Sequence, residues 1–300
     1  MNIAITGATG FIGSPLTRAL LEAGHAVHAL GRKRPANLPE SVKFFEWRST
    51  QEEPARESLA GVDAVIHLAG ESVAQRWTPE AKKRIRGSRA DGTRHLVNAL
   101  STESRRPQVL ICASATGYYG SRGDQVLIEQ SSPGDDFLAQ VVLEWEKAAT
   151  LAEALGIRVV RMRFGMVLGK DGGALRKMLP PFRFGVGGRL GSGRQWLSWI
   201  HIDDLTSLIL FALTNTGVYG AVNATAPQPV TNADFTRELA RALHRPAIFP
   251  VPELALKLLF GEMASMLLAS QRVIPEAAKN AGFQFQYPKL GPALQRLVKD

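Results

Sequence analysis

Short apolar runs alternate with longer amphipathic segments over the first 217 residues. A strand buried on both faces is a continuous apolar run, whereas a helix places apolar residues every three or four positions. This alternation predicts an α/β fold built on a Rossmann-like, doubly wound parallel sheet. The predicted strands lie at about 3–5, 26–30, 42–47, 62–70, 108–113 and 157–164, and the longer helices at about 14–21, 78–100, 137–155 and 205–213.

The pattern changes after Val218. A short strand at 221–224 is followed by helices at 232–243 and 253–268 and by a tail that ends in the residues 293–298, which together predict a small substrate lobe at the carboxyl edge of the sheet. We therefore predict a Rossmann domain over 1–217 and a small C-terminal substrate lobe over 218–300, partly interleaved with the first. The segment 172–194 is rich in glycine, proline and arginine and too long for a simple turn, which predicts a lid-like loop.

Three glycines separate the first strand from the first helix at GxxGxxG spacing. The first allows a tight turn, the second lets the backbone approach a pyrophosphate, and the third lets the helix pack closely on the strand. The amides of the first helical turn would face the phosphates, so a dinucleotide is the predicted ligand. A glycine-rich turn without a ligand is the alternative. The predicted contacts from this loop are Gly7, Thr9, Gly10, Phe11, Ile12 and Gly13.

The end of the second strand favours NADP(H) over NAD(H). An acidic residue at this point of the fold would bind the ribose 2′-OH of NAD. Here Gly31 is followed by Arg32 and Lys33 instead. A guanidinium matches a 2′-phosphate in charge and in geometry, so both residues are predicted to bind the cofactor. A solvated basic loop is the alternative.

Other residues near strand ends are predicted to contact the cofactor, because ligands of open parallel sheets bind at the carboxyl edge. Arg89 lies on the helix that flanks the cofactor in this topology, where it is either a phosphate or substrate ligand or part of a solvated face. His67 is expected to pack in or beside the sheet. The predicted cofactor contacts in this group are Leu68, Ala69, Gly70, Arg89 and Met166.

The fifth strand leads into a cluster of hydroxyl groups, with the sequence SATGYYG at 114–120. Hydroxyls over the nicotinamide position could orient a carbonyl or an alcohol, and a tyrosine with a lowered pKa could move a proton. We therefore predict Ser114 and one of Tyr118 and Tyr119 as catalytic. Packing of the loop is the alternative for the two adjacent tyrosines.

Composition narrows the classes of function. The chain has 300 residues, 45% of them hydrophobic, and a single cysteine, Cys112, which excludes an internal disulfide and favours a reducing compartment. No secretion leader is recognised, and the apolar segment 254–268 is interrupted by Lys257 and Glu262. The net charge is +9, but the basic residues are scattered. We expect a cytoplasmic protein with a small-molecule substrate and without a nucleic-acid, membrane or metal partner.

Four stretches resemble one family. TGATGFIG at 6–13, HLAG at 67–70, SATGYYG at 114–120 and the run at 172–205 are together similar to the atypical extended short-chain dehydrogenase/reductases. More narrowly, they resemble the YfcH-like epimerase family proteins with a C-terminal domain of unknown function. The resemblance implies a Rossmann domain that binds NADP(H), a lobe that closes over a substrate, and oxidoreductase or sugar-nucleotide-type epimerase chemistry. An anionic or nucleotide-linked substrate would be compatible with the arginines of 172–194.

The chain departs from the catalytic pattern of that superfamily. A YxxxK pair is expected on the helix after the fifth strand, but the helix from Phe137 has no tyrosine, and Lys147 has none four residues before it. An asparagine of extended members is replaced by Arg89. The first hypothesis is therefore an enzyme of atypical mechanism, in which Arg89 supplies the positive charge of the missing lysine. The second is a non-catalytic NADPH-binding sensor or regulatory protein.

Overall fold

The computed structural model describes residues 1–299, and Asp300, the last residue of the predicted lobe, lies outside them. The strands within the described residues are β1 (Asn2–Thr6), β2 (Ala26–Gly31), β3 (Lys43–Glu46), β4 (Ala64–His67), β5 (Val109–Ala115), β6 (Val126–Leu127), β7 (Arg158–Phe164), β8 (Met166–Gly169), β9 (Trp196–Leu197), β10 (Trp199–His201), β11 (Gly220–Ala224), β12 (Val230–Thr231) and β13 (Arg272–Val273).

The helices of the same residues include three short 3-10 turns, at Thr116–Tyr119, Leu151–Leu155 and Gly261–Met263. None of the helices in 1–299 combines the length and the hydropathy that a membrane crossing requires. The α-helices are α1 (Gly13–Glu22), α2 (Arg56–Leu59), α3 (Pro79–Thr102), α4 (Phe137–Thr150), α5 (Gly173–Arg183), α6 (Ile202–Thr214), α7 (Asn232–Leu243), α8 (Glu253–Phe260), α9 (Ala264–Leu268), α10 (Glu276–Asn280) and α11 (Leu290–Val298).

Seven parallel strands form the central sheet, in the order β11-β7-β5-β4-β1-β2-β3. In β1, Ile3 and Ile5 belong to the core on one face and Ala4 to the core on the other, as the side-chain alternation of a strand requires. The strand order reverses between β1 and β4, which is where open α/β sheets bind ligands. The predicted Rossmann-like, doubly wound sheet is confirmed.

Helices cover both faces of the sheet. Leu16 and Leu20 of α1 pack on one face together with Leu205 and Leu208 of α6. The opposite core contains Leu96 and Leu100 of α3 with Trp145 and Ala149 of α4. The helices therefore leave the ends of the parallel strands uncovered. The connections at the carboxyl ends of the strands form the site.

The segment 172–194 is not a loop throughout, so the predicted lid-like loop is corrected here. Residues Gly173–Arg183 form α5, which buries Leu175, Leu179 and Phe182 in the core of the lobe with α7 and α11. These three apolar positions recur every three or four residues and supply a buried face that outweighs the unfavourable glycine and prolines of the helix. Only the part after Arg183 lacks regular structure up to Trp196.

The predicted boundary at residue 218 is also corrected. β11 lies beyond it and yet pairs with β7 as an edge strand of the main sheet. Ala278 of α10 and Phe283 likewise belong to the core of the Rossmann face, whereas α5, before residue 218, belongs to the lobe. The two parts are interleaved more deeply than a single boundary allows, because the lobe is assembled from connections at the carboxyl edge of the sheet.

Candidate functional site

The glycine-rich turn after β1 has the geometry of a phosphate cradle. Gly7 has φ +72°, which favours glycine. A Cβ on Gly13 would lie 2.0 Å from the Gly7 carbonyl oxygen, so only glycine lets α1 approach β1 this closely. The N-cap of α1 is Ile12, whose side chain cannot accept a hydrogen bond, and the amides of the first turn have no side-chain cap. Uncapped amides at the positive end of a helix fit the diphosphate of a dinucleotide.

The Phe11 ring packs away from this turn, against the connection between β8 and α5. A Cβ on Gly172 would lie 2.5 Å from the Phe11 ring, and a Cβ on Gly169 would lie 2.7 Å from it. The ring therefore anchors the glycine-rich turn to the lobe, and the Phe11 backbone is the part left for a phosphate. Met166 of β8 lies on the lobe side of this connection and packs against the lobe core.

Thr6, the last residue of β1, joins the two strand ends that form the cradle. Its Oγ1 accepts hydrogen bonds from the amides of Leu68 and Ala69, each at 3.1 Å. A Cβ on Gly7 would lie 3.1 Å from the Ala69 nitrogen, so the two connections are in close contact. The structure thus brings the predicted cofactor residues after β4 next to the glycine-rich turn, although their contact with a cofactor remains a prediction.

A buried chain of hydrogen bonds runs from Thr6 to Arg89. The Thr6 hydroxyl lies 2.7 Å from His67 Nδ1, and His67 Nε2 lies 3.1 Å from Thr93 Oγ1. The Thr93 hydroxyl in turn donates to the Arg89 carbonyl at 2.6 Å. Donors and acceptors match if the His67 ring is neutral and protonated on Nε2. Burial favours this form, because it lowers the pKa of His67 to about 4. His67 therefore has a structural role, as its position in the sequence predicts.

The neutral state of His67 makes stability depend on pH. The imidazole has an ordinary pKa of 6.5 in the unfolded chain and about 4 in the folded protein. The unfolded state therefore binds the proton more readily between these values, and stability falls as the pH falls. We expect the unfolding free energy of the native protein to drop by about 2 kcal/mol more than that of H67Q between pH 7 and 4.5, measured in urea. Equal losses for the two proteins would contradict this account.

Arg89 is held directly against the connection after β4. Its Nη1 donates to the carbonyls of Glu71 and Ile85 at 2.9 and 3.2 Å, and its guanidinium lies 5.2 Å from the Trp145 ring centre. A Cβ on Gly70 would lie 3.3 Å from Cζ. Burial lowers the pKa of Arg89 to about 10, so the side chain stays charged at neutral pH. Its Nε and Nη2 make no hydrogen bond within residues 1–299, which leaves donors for an anion at this edge.

Arg32 and Lys33 follow β2, where the adenosine end of a dinucleotide would lie. Both are exposed, and neither forms a hydrogen bond or an ion pair within the described part of the chain. Arg34 differs, because it donates to the carbonyls of Val42 and Pro39. The first two charges are therefore available to a phosphate, whereas the third is directed to the backbone of its own loop.

Ser114, at the end of β5, contacts a buried ion-pair network. Its hydroxyl donates to Glu146 Oε1 on α4 at 2.6 Å. Arg163 on β7 donates to both carboxylate oxygens of Glu146, from Nε at 2.7 Å and from Nη2 at 2.9 Å, and Arg161 Nη1 lies 3.2 Å from Oε2. The side chains of Glu146 and Arg163 are only 5% and 3% exposed. The Ser114 hydroxyl is thus oriented by a carboxylate beneath it.

The two adjacent tyrosines have different environments, which corrects the candidacy of Tyr119. Its ring is fully buried, its hydroxyl donates to Asn223 Oδ1 at 2.7 Å, and Arg163 donates to it at 2.9 Å. Burial raises the pKa of Tyr119 to about 12, the opposite of what an acid/base at neutral pH requires. Tyr118 is partly exposed, its ring lies 3.4 Å from the Arg163 guanidinium, and its hydroxyl has no hydrogen-bond partner in 1–299. Tyr118 is therefore the remaining tyrosine candidate.

Glu146 and Arg163 are not among the residues predicted from the sequence, and neither is the lobe residue that reaches this edge. Gln271 lies just before β13, its Nε2 donates to the Gly120 carbonyl at 3.2 Å, and its Oε1 accepts from the Thr116 hydroxyl at 3.0 Å. Arg161 and Arg163, with one residue between them on β7, are a signal for the network, because both point to the same face of the sheet and need acceptors there. No comparable signal marks Gln271.

Comparison with known families covers most of the chain. Residues 3–224 match the model of the NAD dependent epimerase/dehydratase family, and 251–297 match a domain of unknown function (DUF1731). The chain is 41% identical to the epimerase family protein YfhF of Bacillus subtilis over 301 residues, which cover 100% of this chain and 99% of that one. It is 44% identical to the chloroplastic SDR39U1 homologue of Arabidopsis thaliana over 303 residues, covering 100% and 87% of the two chains.

Solved structures show the same similarity. The crystal structure of human epimerase family protein SDR39U1 with NADPH superposes with a TM-score of 0.89 at 35% identity, with 100% of both chains covered. A UDP-glucuronic acid 4-epimerase from Bacillus cereus superposes with a TM-score of 0.80 over 98% of this chain and 96% of the other. At 19% identity, the second likeness concerns the fold alone.

Proposed function

The chain belongs to the NAD dependent epimerase/dehydratase family, and from that premise we propose that it is an NADP(H)-dependent oxidoreductase or epimerase with an atypical acid/base group. The observation that carries the proposal is the position of Ser114 and Tyr118 at the same sheet edge as a complete phosphate cradle. The human relative, 35% identical over its whole length, was crystallised with NADPH. The substrate in this proposal is a small molecule held between the sheet edge and the lobe.

Three groups of residues would hold the cofactor. The uncapped first turn of α1 would receive the diphosphate. Arg32 and Lys33, exposed and without partners within 1–299, would receive a 2′-phosphate and so prefer the phosphorylated coenzyme. Arg89, charged and with unused donors, would bind near Gly70. When bound, the coenzyme supplies or accepts a hydride at its nicotinamide ring.

Tyr118 would move the proton that accompanies hydride transfer. In reduction its hydroxyl would give its proton to a substrate carbonyl oxygen, and in oxidation its phenolate form would accept the proton of a substrate alcohol. Arg163 lies against the Tyr118 ring, so its positive charge would stabilise the negative charge that develops when the phenol gives up its proton. Ser114, held by Glu146, would keep an oxygen directed to the reacting group. Arg163 thus supplies locally the charge that a lysine supplies in the usual pair.

Replacing Tyr118 by phenylalanine tests this proposal. Y118F is expected to lower turnover by about 100-fold or more, because general acid/base groups contribute about 10²–10⁴ in rate, while its affinity for NADPH stays unchanged. Turnover is measured on a panel of UDP-sugars and small carbonyl compounds, by oxidation of NADPH and by stereochemical change in the sugar. Y219F is the control, because Tyr219 is 73% exposed next to β11 at the opposite edge of the sheet. Native turnover by Y118F would remove Tyr118 from the mechanism.

A non-catalytic NADPH sensor is the second candidate. Two observations favour it: the helix α4 has no tyrosine to pair with its one lysine, Lys147, and the Ser114 hydroxyl already donates to Glu146. In that case, NADPH would change the proteolytic protection of the lobe without being consumed by any member of the panel. Consumption of NADPH with one substrate, lost in Y118F, would exclude the sensor.

A further inference from the structure

The lobe exposes several large apolar side chains to solvent. Phe184, Val186, Ile248 and Phe249 are 82%, 58%, 72% and 56% exposed in the segments before β9 and before α8. Leu254 and Leu258 are 68% and 72% exposed on α8, one turn apart and therefore on the same face of that helix. We call these six residues the apolar patch. Side chains of this size are normally scattered singly on a surface, so such a concentration indicates an interaction site.

The residues of the apolar patch lie on neighbouring segments. The Val251 amide donates to the Arg189 carbonyl at 2.8 Å, and the Gly191 amide donates to the Val251 carbonyl at 2.9 Å. A Cβ on Gly188 would lie 1.7 Å from the Phe249 carbonyl oxygen, and a Cβ on Gly185 would lie 3.7 Å from the Pro246 side chain. The two segments therefore run side by side, and α8 begins two residues after Val251. The patch is a joint feature of two paired loops and one helix.

Basic residues border the apolar patch. Residues 172–195 contain five lysines and arginines and no acidic residue. Arg183 and Arg189 flank Phe184 and Val186, and Arg245 precedes Ile248 by three residues; these three arginines are exposed and form no ion pair within the described residues. Their charges are therefore available to a partner that is negatively charged.

We propose that the apolar patch and its arginines dock the protein on the surface of an anionic lipid bilayer. Apolar side chains on loop tips and on one face of a short helix can enter the interface while neighbouring arginines bind anionic headgroups. This is interfacial binding, which needs no membrane-crossing helix. A second copy of the chain fits less well, because a two-fold interface at this face would place the same basic border against itself. The proposal is independent of the coenzyme site and revises the expectation of no membrane partner.

Co-sedimentation with lipid vesicles tests the proposal. The full chain is mixed, at low ionic strength, with vesicles of phosphatidylcholine alone or with about 30 mol % phosphatidylglycerol, since anionic lipid sets the surface potential. We expect at least about tenfold stronger partitioning to the anionic vesicles, weakened by added salt. F184S/F249S and R183E/R245E should each lower it by about tenfold or more. Y219S removes an equally exposed aromatic ring at the opposite edge of the sheet and should bind as the native protein does.

Two results would overturn the proposal. The first is native protein that shows no preference for the anionic vesicles, or F184S/F249S with native Tm that still binds them as the native protein does. The second is a native dimer, seen by sedimentation velocity without lipid, that F184S/F249S converts to a monomer while vesicle binding stays absent in both. That result would assign the apolar patch to a second copy of the chain.

Discussion

Replacing Glu146 with alanine is expected to lower the free energy of unfolding by about 3–5 kcal/mol. The carboxylate accepts two hydrogen bonds from Arg163, one from Ser114 and one from Arg161, in a site that is almost free of solvent. Its removal leaves the 3% exposed Arg163 side chain charged and without its main partner. A buried ion pair contributes little net stability, but breaking one side of it is costly, because the remaining charge is desolvated.

Glu144→Ala is the matched control for this prediction. Glu144 lies on the same helix and pairs with Arg86 at 3.4 Å, but the two side chains are 41% and 44% exposed. An exposed pair contributes about 0–1 kcal/mol, so the free energy of unfolding of E144A should lie within about 1 kcal/mol of that of the native protein. Both variants are measured by urea unfolding. If E146A proves as stable as E144A, the loss of Glu146 does not leave a costly unpaired charge on Arg163, and the prediction is wrong.

Replacing Arg32 and Lys33 together with alanine is expected to raise the Kd for NADPH by about 100-fold. A hydrogen bond to a charged group contributes about 1.5–3 kcal/mol, so even partial use of two such residues accounts for about 3 kcal/mol. The Kd for NADH should change by less than about threefold, because NADH lacks the 2′-phosphate. Both constants are measured by calorimetric titration.

Arg34→Ala separates this specific role from the general charge of the loop. It removes the same charge as Arg32→Ala, but the Arg34 guanidinium is already bound to the carbonyls of Val42 and Pro39. The ratio of NADPH to NADH affinity should stay native in R34A. A ratio that falls equally in R34A and in R32A would mean that only the net charge of the loop is sensed.

The cradle could be predicted from the sequence because its determinants are local. The strand, the glycines of the first turn and the helix after them are continuous in the chain, from residue 2 to residue 22. The close contact between Gly13 and the Gly7 carbonyl oxygen, for example, joins two residues of the same turn. The same holds for Arg32 and Lys33, whose exposure follows from their position directly after a strand.

The catalytic side of the site could be predicted only in part, because it depends on contacts between distant segments. Whether Tyr118 or Tyr119 is buried is decided by Asn223, about a hundred residues away in β11, and by Arg163 in β7. Glu146 likewise meets Arg163 only because α4 packs over β5 and β7. The helix within 172–194 is hard to predict for another reason: the glycines and prolines of the segment obscure the helical spacing of Leu175, Leu179 and Phe182.

In calorimetric titrations of the native protein with each nicotinamide coenzyme, we expect NADPH to bind at one site per chain, and at least about tenfold more tightly than NADH, because two available charges meet the 2′-phosphate. Absence of binding for both coenzymes, or equal affinity for the two, would contradict this expectation.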